Sequence, residues 1–182
     1  HFDANIYRER CYQGWGRADS SVELKYGPNI TDWPAMAALP ENLLLRVACV
    51  ITDPVTTTDE LIPSGETSSL RSNPLKLAEF ALSRKDPEYV GRAKDVFAFE
   101  KKREADPADA SVLQAVRKAL APLEKSDRAL FDAICGGKDL AGTGIGSTIF
   151  AMKPGDGSAR EQAASSQKVL GGWANLALEY AT

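Results

Sequence analysis

The last quarter of the chain constrains the fold most. An apolar run at 149–152, in a strand reading at 147–152, is followed by a turn, Lys153-Pro154-Gly155, and then by a helix-like segment at 159–170. Gly171-Gly172 stops that segment, and a second apolar run follows at 173–180. Strand, helix, strand with short connections is a parallel crossover, because two parallel neighbours need a connection that returns the chain to the same end. A sheet of this kind must carry helices, which places the chain in the α/β class. Ligands of such sheets gather at the carboxyl ends of the strands, where Asp156-Gly157-Ser158-Ala159-Arg160-Glu161 falls. Ser158 and Glu161 have the spacing of a capping box, with Ser158 at the N-cap. The first-turn N–H groups point outward and carry the positive end of the helix dipole, and Arg160 adds a full charge. A carboxylate would find donors, a cation and a hydroxyl together. The plain alternative is a capped helix with a solvated arginine.

Upstream, residues 1–40 differ from the rest. They hold Tyr7, Tyr12, Trp15, Tyr26 and Trp33 among glycines and prolines, with a short helix expected near 3–12. They read as an extended arm whose aromatics pack on another surface. Residues 43–51 form a nearly continuous apolar run ending at Asp53-Pro54, which reads as a buried strand. At 55–65 the threonine run disfavours helix. The polar loop 66–74 is dense in hydroxyls around Arg71, a composition suited to a polyanionic small molecule. Helices are expected at 75–83, at 87–105, from Asp106-Pro107 onward with Val112, Val116 and Leu120 four apart, and at 127–135. The charge run at 100–104 reads as a solvated face. Gly142-Thr143-Gly144-Ile145-Gly146 lacks the dinucleotide-binding spacing and reads as a turn before the strand at 147–152. The elements sum to helices around a small mixed sheet.

Several functions are excluded at this stage. In 182 residues the net charge is only −3, and no basic run carries interleaved aromatics, so no nucleic-acid surface is expected. No apolar run approaches a membrane span and no signal peptide is visible, so no membrane partner and a cytoplasmic location are expected. The chain starts at His1 rather than Met, which reads as a processed or excised piece. Cys11, Cys49 and Cys135 are odd in number and far apart, which argues against a disulfide framework and against a metal site within this chain. They read as buried, inert thiols. His1 is the only histidine, so proton chemistry here has no internal imidazole.

Two motifs combine into a resemblance. Gly157-Ser158-Ala159-Arg160-Glu161 resembles the Gly-Ser-Ser-Arg-Glu signature of the mobile C-terminal domain of the aconitase superfamily. Thr57-Thr58-Asp59 with Gly65 and Arg71 resembles that domain's other signature, and Leu170-Gly171-Gly172 fits its pattern. The loop Ser64-Gly65-Glu66-Thr67-Ser68-Ser69 is similar to a bacterial branch of aconitase-like hydratases. The resemblance covers about residues 43–182. It implies an α/β, three-layer β/β/α swivelling domain at 41–182, truncated at its C-terminus, with a mostly helical insertion at about 75–135 and a linker arm at 1–40. It implies part of a hydro-lyase that dehydrates and rehydrates a hydroxy-di- or tricarboxylic acid. Ser158 would be the base, Arg71 and Arg160 would bind substrate carboxylates, and Asp59 would orient them. A 4Fe-4S cluster would belong to a core carried by the same polypeptide or by a large subunit, and this chain alone would be inactive. Ala159 departs from the signature's second serine and removes one hydroxyl contact from the substrate-binding set; Gln162 stands where many relatives carry histidine. The alternatives are a free-standing small subunit, as in isopropylmalate isomerase, and a non-catalytic carboxylate-binding module.

The chemistry asked of Ser158 is demanding. A serine hydroxyl is a very weak acid, and its alkoxide needs strong local positive potential. Arginine forks onto a carboxylate through two parallel bonds, which fixes the reacting carbon against the base.

Overall fold

The computed structural model describes residues 1–10, 16–23 and 25–181, with residues 9 and 10 by their backbone alone. The readings placed on Cys11, Tyr12 and Trp15 lie outside the described residues. A short helix α1 (Asn5–Arg10) opens the chain, and the other described residues before Asn42 carry no regular structure. Tyr7, Tyr26 and Trp33 are exposed along this arm. It meets the body where the Thr31 N–H donates to the Ser72 carbonyl at 3.0 Å.

Strand β1 (Asn42–Ile51) is the expected apolar run. Two residues of strand β2 (Thr56–Thr57) then lead into helix α2 (Thr58–Leu61). The threonine run therefore does enter a helix, against its propensity. The reason is local: Thr57 caps α2 with its hydroxyl, and Glu60 reaches back to the Thr57 N–H at 2.8 Å. Helix α3 (Pro74–Ala78) is shorter than the expected 75–83. Leu82 takes a left-handed φ of 56°, and its N–H donates to the Leu61 carbonyl at 2.9 Å, which bends the chain back onto α2.

The insertion consists of α4 (Tyr89–Ala105), α5 (Ala110–Ser126) and α6 (Arg128–Cys135). α5 starts at Asp109, whose carboxylate accepts from the Val112 N–H at 2.9 Å, not at Asp106-Pro107 as the sequence predicts. Val112 and Val116 are buried on one face, as the four-residue spacing predicts. Strand β3 (Thr143–Ala151), strand β4 (Pro154–Asp156), helix α7 (Arg160–Val169) and strand β5 (Gly172–Ala177) complete the chain. Of the glycine run, only Gly142 is in a turn; Gly144 and Gly146 lie within β3. Gly144 faces Pro40 and Gly146 faces the Trp173 ring, each so closely that a Cβ would overlap it.

β3 is central in a sheet of order β1-β3-β5, and β2 pairs β4 in a second, two-stranded sheet. Every described pairing is parallel, where a mixed sheet was expected. The architecture is α/β. One core gathers Cys49, Ile51, Ile149 and Ala151 of the sheet under Leu77, Leu82, Tyr89 and Ala163. A second joins Val96, Val112, Val116 and Cys135 to Ile145. The opposite sheet face exposes Leu43, Val47, Val50 and Leu176.

The charge run at 100–104 is not a solvated face throughout. Glu100 is 1% exposed, and Arg103 donates to both of its carboxylate oxygens at 2.8 Å. The Ile145 N–H donates to the same carboxylate at 2.7 Å. Removing one partner from such a group leaves a buried charge unanswered. Glu100→Ala is expected to lower the unfolding free energy by about 3–5 kcal/mol in urea denaturation. Glu104→Ala, on the exposed side of the same turn, is expected to change it by less than about 0.5 kcal/mol.

Candidate functional site

The two signature segments, a hundred residues apart in sequence, meet in space. β2 and β4 run parallel with Thr57 opposite Asp156. The next residues, Thr58-Asp59 and Gly157-Ser158, therefore leave the carboxyl ends of adjacent strands. Gly157 has φ 132°, a conformation that L side chains rarely adopt, and it rests against the Thr58 hydroxyl so closely that no Cβ fits. Both demands require glycine.

That turn also displaces the expected cap. α7 begins at Arg160, its N-cap is Ala159, and no side chain caps it. Ser158 is not a capping residue. It is exposed, and its hydroxyl makes no hydrogen bond among the described residues. The capping box that the sequence places at Ser158 and Glu161 is realised instead by Thr57 and Glu60. The Thr57 N–H, and after it the Lys85 ammonium, hold the Glu60 carboxyl below the usual carboxylate range. Lys85 bridges Glu60 at 3.1 Å and Asp53 at 2.9 Å, so the α2 end of the site is pinned to the chain after β1.

Asp59 is committed to its own loop. One carboxylate oxygen accepts from the Ser64 N–H at 3.0 Å and from the Ser64 hydroxyl at 3.2 Å. The other pairs with Arg84, which also holds Glu66 at 2.8 Å. Glu66 and Asp59 strengthen the hold of the Arg84 guanidinium on its proton. Arg84 was missed by sequence reasoning. It lies between α3 and α4 in no recognisable motif, and only the fold brings it to Asp59.

The two arginines expected to bind substrate take different flanks of α7. Arg71 is exposed over a small cleft that it shares with Ser64, Thr67 and Gln162. Arg160 turns the other way. Its Nε donates to the Gly157 carbonyl at 2.9 Å and its Nη1 to the Ala181 carbonyl at 3.3 Å. It lines a cavity of about 240 Å³ with Ala163, Ala164 and Gln167, which share its helix face at the three- and four-residue spacing. Gln162, two residues on from Arg160, points away from that face. Asn175 also lines the cavity, and its Oδ1 is buried with no hydrogen-bond partner. The structure thus brings the Asp59 and Ser158 segments together, while Arg71 and Arg160 line separate depressions. Ser158 lines neither of them.

Among the described residues, no group of three or more His, Cys, Asp or Glu side chains is placed to hold a metal ion. Cys49 and Cys135 belong to different cores and do not form a ligand set for an iron–sulfur cluster. Burial, aided by the neighbouring Asp86, pushes the Cys49 thiol up to about 12, and burial raises Cys135 as well. Both are poor nucleophiles at neutral pH.

Comparison of the chain with protein-family models, with curated proteins and with solved structures yields no match.

The turn at Gly157 separates two effects that substitution resolves. Gly155 also has a left-handed φ, 99°, but open space where a Cβ would stand. Gly155→Ala is expected to cost only the backbone term, about 1–2 kcal/mol. Gly157→Ala should cost about 1–3 kcal/mol more, because the methyl group must also displace Thr58. Urea denaturation of the two variants side by side measures the difference.

Proposed function

We propose that this chain is the mobile substrate-binding domain of an aconitase-like hydro-lyase, acting on a hydroxy-di- or tricarboxylic acid. The observation that carries the reading is the adjacency of Thr58-Asp59 and Gly157-Ser158 at the ends of β2 and β4. Two segments that resemble one family's two signatures, and that lie far apart in sequence, converge on one strand end. In this reading the finer architecture is the three-layer β/β/α swivelling domain. The open apolar face of the β1-β3-β5 sheet, with Leu43, Val47 and Val50 exposed, is compatible with a further layer.

In this reading each residue has a role. Ser158 presents a free hydroxyl beside the uncapped first turn of α7. The first-turn N–H groups supply positive potential there, and Arg160 stands two residues on. The hydroxyl loses its proton to solvent as the site closes; in the dry field its alkoxide takes a proton from carbon, the C–H electron pair forms the double bond, and the hydroxyl on the adjacent carbon leaves. Arg71 and Arg160, on opposite flanks of α7, take separate carboxylates of one acid lying across the helix N-terminus. In this reading two separate arginines call for an acid with two or three carboxylates rather than one. Asp59 is a positioning residue that holds the Ser64–Glu66 loop and Arg84. The cluster-bearing core, in the same polypeptide or a separate large subunit, would supply Lewis acidity toward the leaving hydroxyl. The placement of the whole assembly in the cytoplasm belongs to the same proposal. No helix among the described residues is long and apolar enough to cross a membrane.

The test is reconstitution with a cluster-bearing aconitase core. Ser158→Ala is expected to lower kcat by about 10²–10⁴-fold, the usual loss of a general base. Its thermal midpoint should stay that of the parent chain, because the hydroxyl is exposed and unbonded. Arg71→Lys and Arg160→Lys should each raise KM. Full activity of the Ser158→Ala assembly would remove serine from the mechanism.

A further inference from the structure

A second site lies away from the signature segments. Two glycines let two aromatic rings lie directly on the backbone: Phe97 on Gly171, whose φ is 84°, and Trp173 on Gly146. Each ring carries an ammonium group. Lys101 Nζ lies 4.6 Å from the Phe97 centroid, and Lys168 Nζ lies 3.5 Å from that of Trp173. Both lysines line one cleft of about 280 Å³, together with arm residues 34–37 and Leu75.

Neither ammonium has an ion pair or hydrogen bond among the described residues. Lys101 is exposed; for Lys168, which is partly buried, the contrast with other partly buried lysines is direct. Lys85 is shared by Asp53 and Glu60, and Lys153 pairs with Glu179 at 2.8 Å. Two glutamates also line the cleft, but neither answers the lysines. Glu100 is consumed by Arg103 and the Ile145 N–H, and Glu104 makes no ion pair with Lys101 or Lys168. Desolvation lowers the proton affinity of Lys168, opposed by the charge of Glu100. An ammonium withdrawn from water with no carboxylate at contact is a group awaiting an anion.

We propose that this cleft binds a small phosphomonoester, with its phosphate between the Lys101 and Lys168 ammonium groups and its organic part against the arm. The donor set selects phosphate over carboxylate. Lysine offers a compact charge with three divergent donors, which suits a tetrahedral dianion, whereas the planar fork that matches a carboxylate belongs to arginine. No arginine lines the cleft. Its volume is at the small end for ligand sites, which limits the organic part to a few carbons. The proposal does not depend on the hydro-lyase reading, since none of its residues belongs to that site.

Calorimetric titration of the 182-residue chain with inorganic phosphate and with glycerol 3-phosphate tests it. Binding of both is expected, tighter for the ester, with Lys101→Met and Lys168→Met each weakening it by at least about tenfold. In spectra of ¹⁵N-lysine-labelled protein, the Lys168 titration midpoint should move upward when phosphate is added, because a bound dianion favours the ammonium form. Chloride at matched ionic strength should produce neither effect. Ester binding no tighter than phosphate binding, an equal response to chloride, or unchanged affinity in Lys101→Met would overturn the proposal. Lys101 lies on the exposed side of α4, so its variant carries the test even if Lys168→Met unfolds the chain.

Discussion

The carboxylate of Glu100 is the point on which the arrangement of helices and sheet turns. It sits 1% exposed on α4, takes two hydrogen bonds from Arg103, and accepts the N–H of Ile145 in β3. Arg103 extends the same network toward the carbonyls of Leu140 and Ala141, just before the strand. Hydrogen bonds to a charged group contribute about 1.5–3 kcal/mol each, and they are directional where apolar packing is not. The network therefore sets where along α4 the strand begins. β3 is the central strand, so β1 and β5 inherit that register through their pairing. The position of Phe97 over Gly171 and of Trp173 over Gly146 follows from the same alignment.

From β3 the constraint passes to the signature segments. The chain leaves Ala151, turns, and lays β4 alongside β2, where the Thr56 N–H donates to the Lys153 carbonyl at 2.9 Å. A two-residue strand is too short to hold itself in place. The anchoring comes instead from Gly157 packed against Thr58, from the Thr57–Glu60 cap and from Lys85 across Glu60 and Asp53. Each of these interactions fixes backbone, so the first-turn N–H groups of α7 are presented in a defined direction without a side-chain cap.

The sequence was most informative where one physical signal had no competitor. The parallel crossover from β3 through α7 to β5 was legible, because an apolar run, a helical period and a double glycine agreed. The four-residue spacing in α5 was legible for the same reason. Errors arose where tertiary contacts overrode a local rule. Thr57 and Thr58 enter a helix because Glu60 completes a cap. Ser158 fails to cap because Gly157 must turn sharply against Thr58, a residue that sequence distance hides. The glycines at 144 and 146 form strand, since Pro40 and Trp173 occupy the space that side chains would need. A charge run such as 100–104 usually faces solvent; the burial of Glu100 depends on Ile145, forty-five residues away. Asp59 and Ser158 were named as candidates from motifs, yet no local pattern could reveal Arg84 beside Asp59 or the separation of Arg71 from Arg160 by the width of α7.

The exposure of Ser158 limits what the hydroxyl can do unaided. In water, a guanidinium about 4 Å away changes the energy of an alkoxide by about 1 kcal/mol. That is less than one unit of pKa, since each unit corresponds to about 1.36 kcal/mol. A serine hydroxyl lies much further than that from ionising at neutral pH, and the partial charge of a helix terminus adds at most about 2 kcal/mol. The same charges act several times more strongly once water is removed, because the attraction scales inversely with the effective dielectric constant. A surface that closed over the α7 terminus, as the proposed assembly requires, would strengthen these attractions, which would also have to offset the hydration that the alkoxide loses. On the proposed reading, the exposed hydroxyl of the chain alone and the base of a closed assembly would differ only in the field acting on one oxygen.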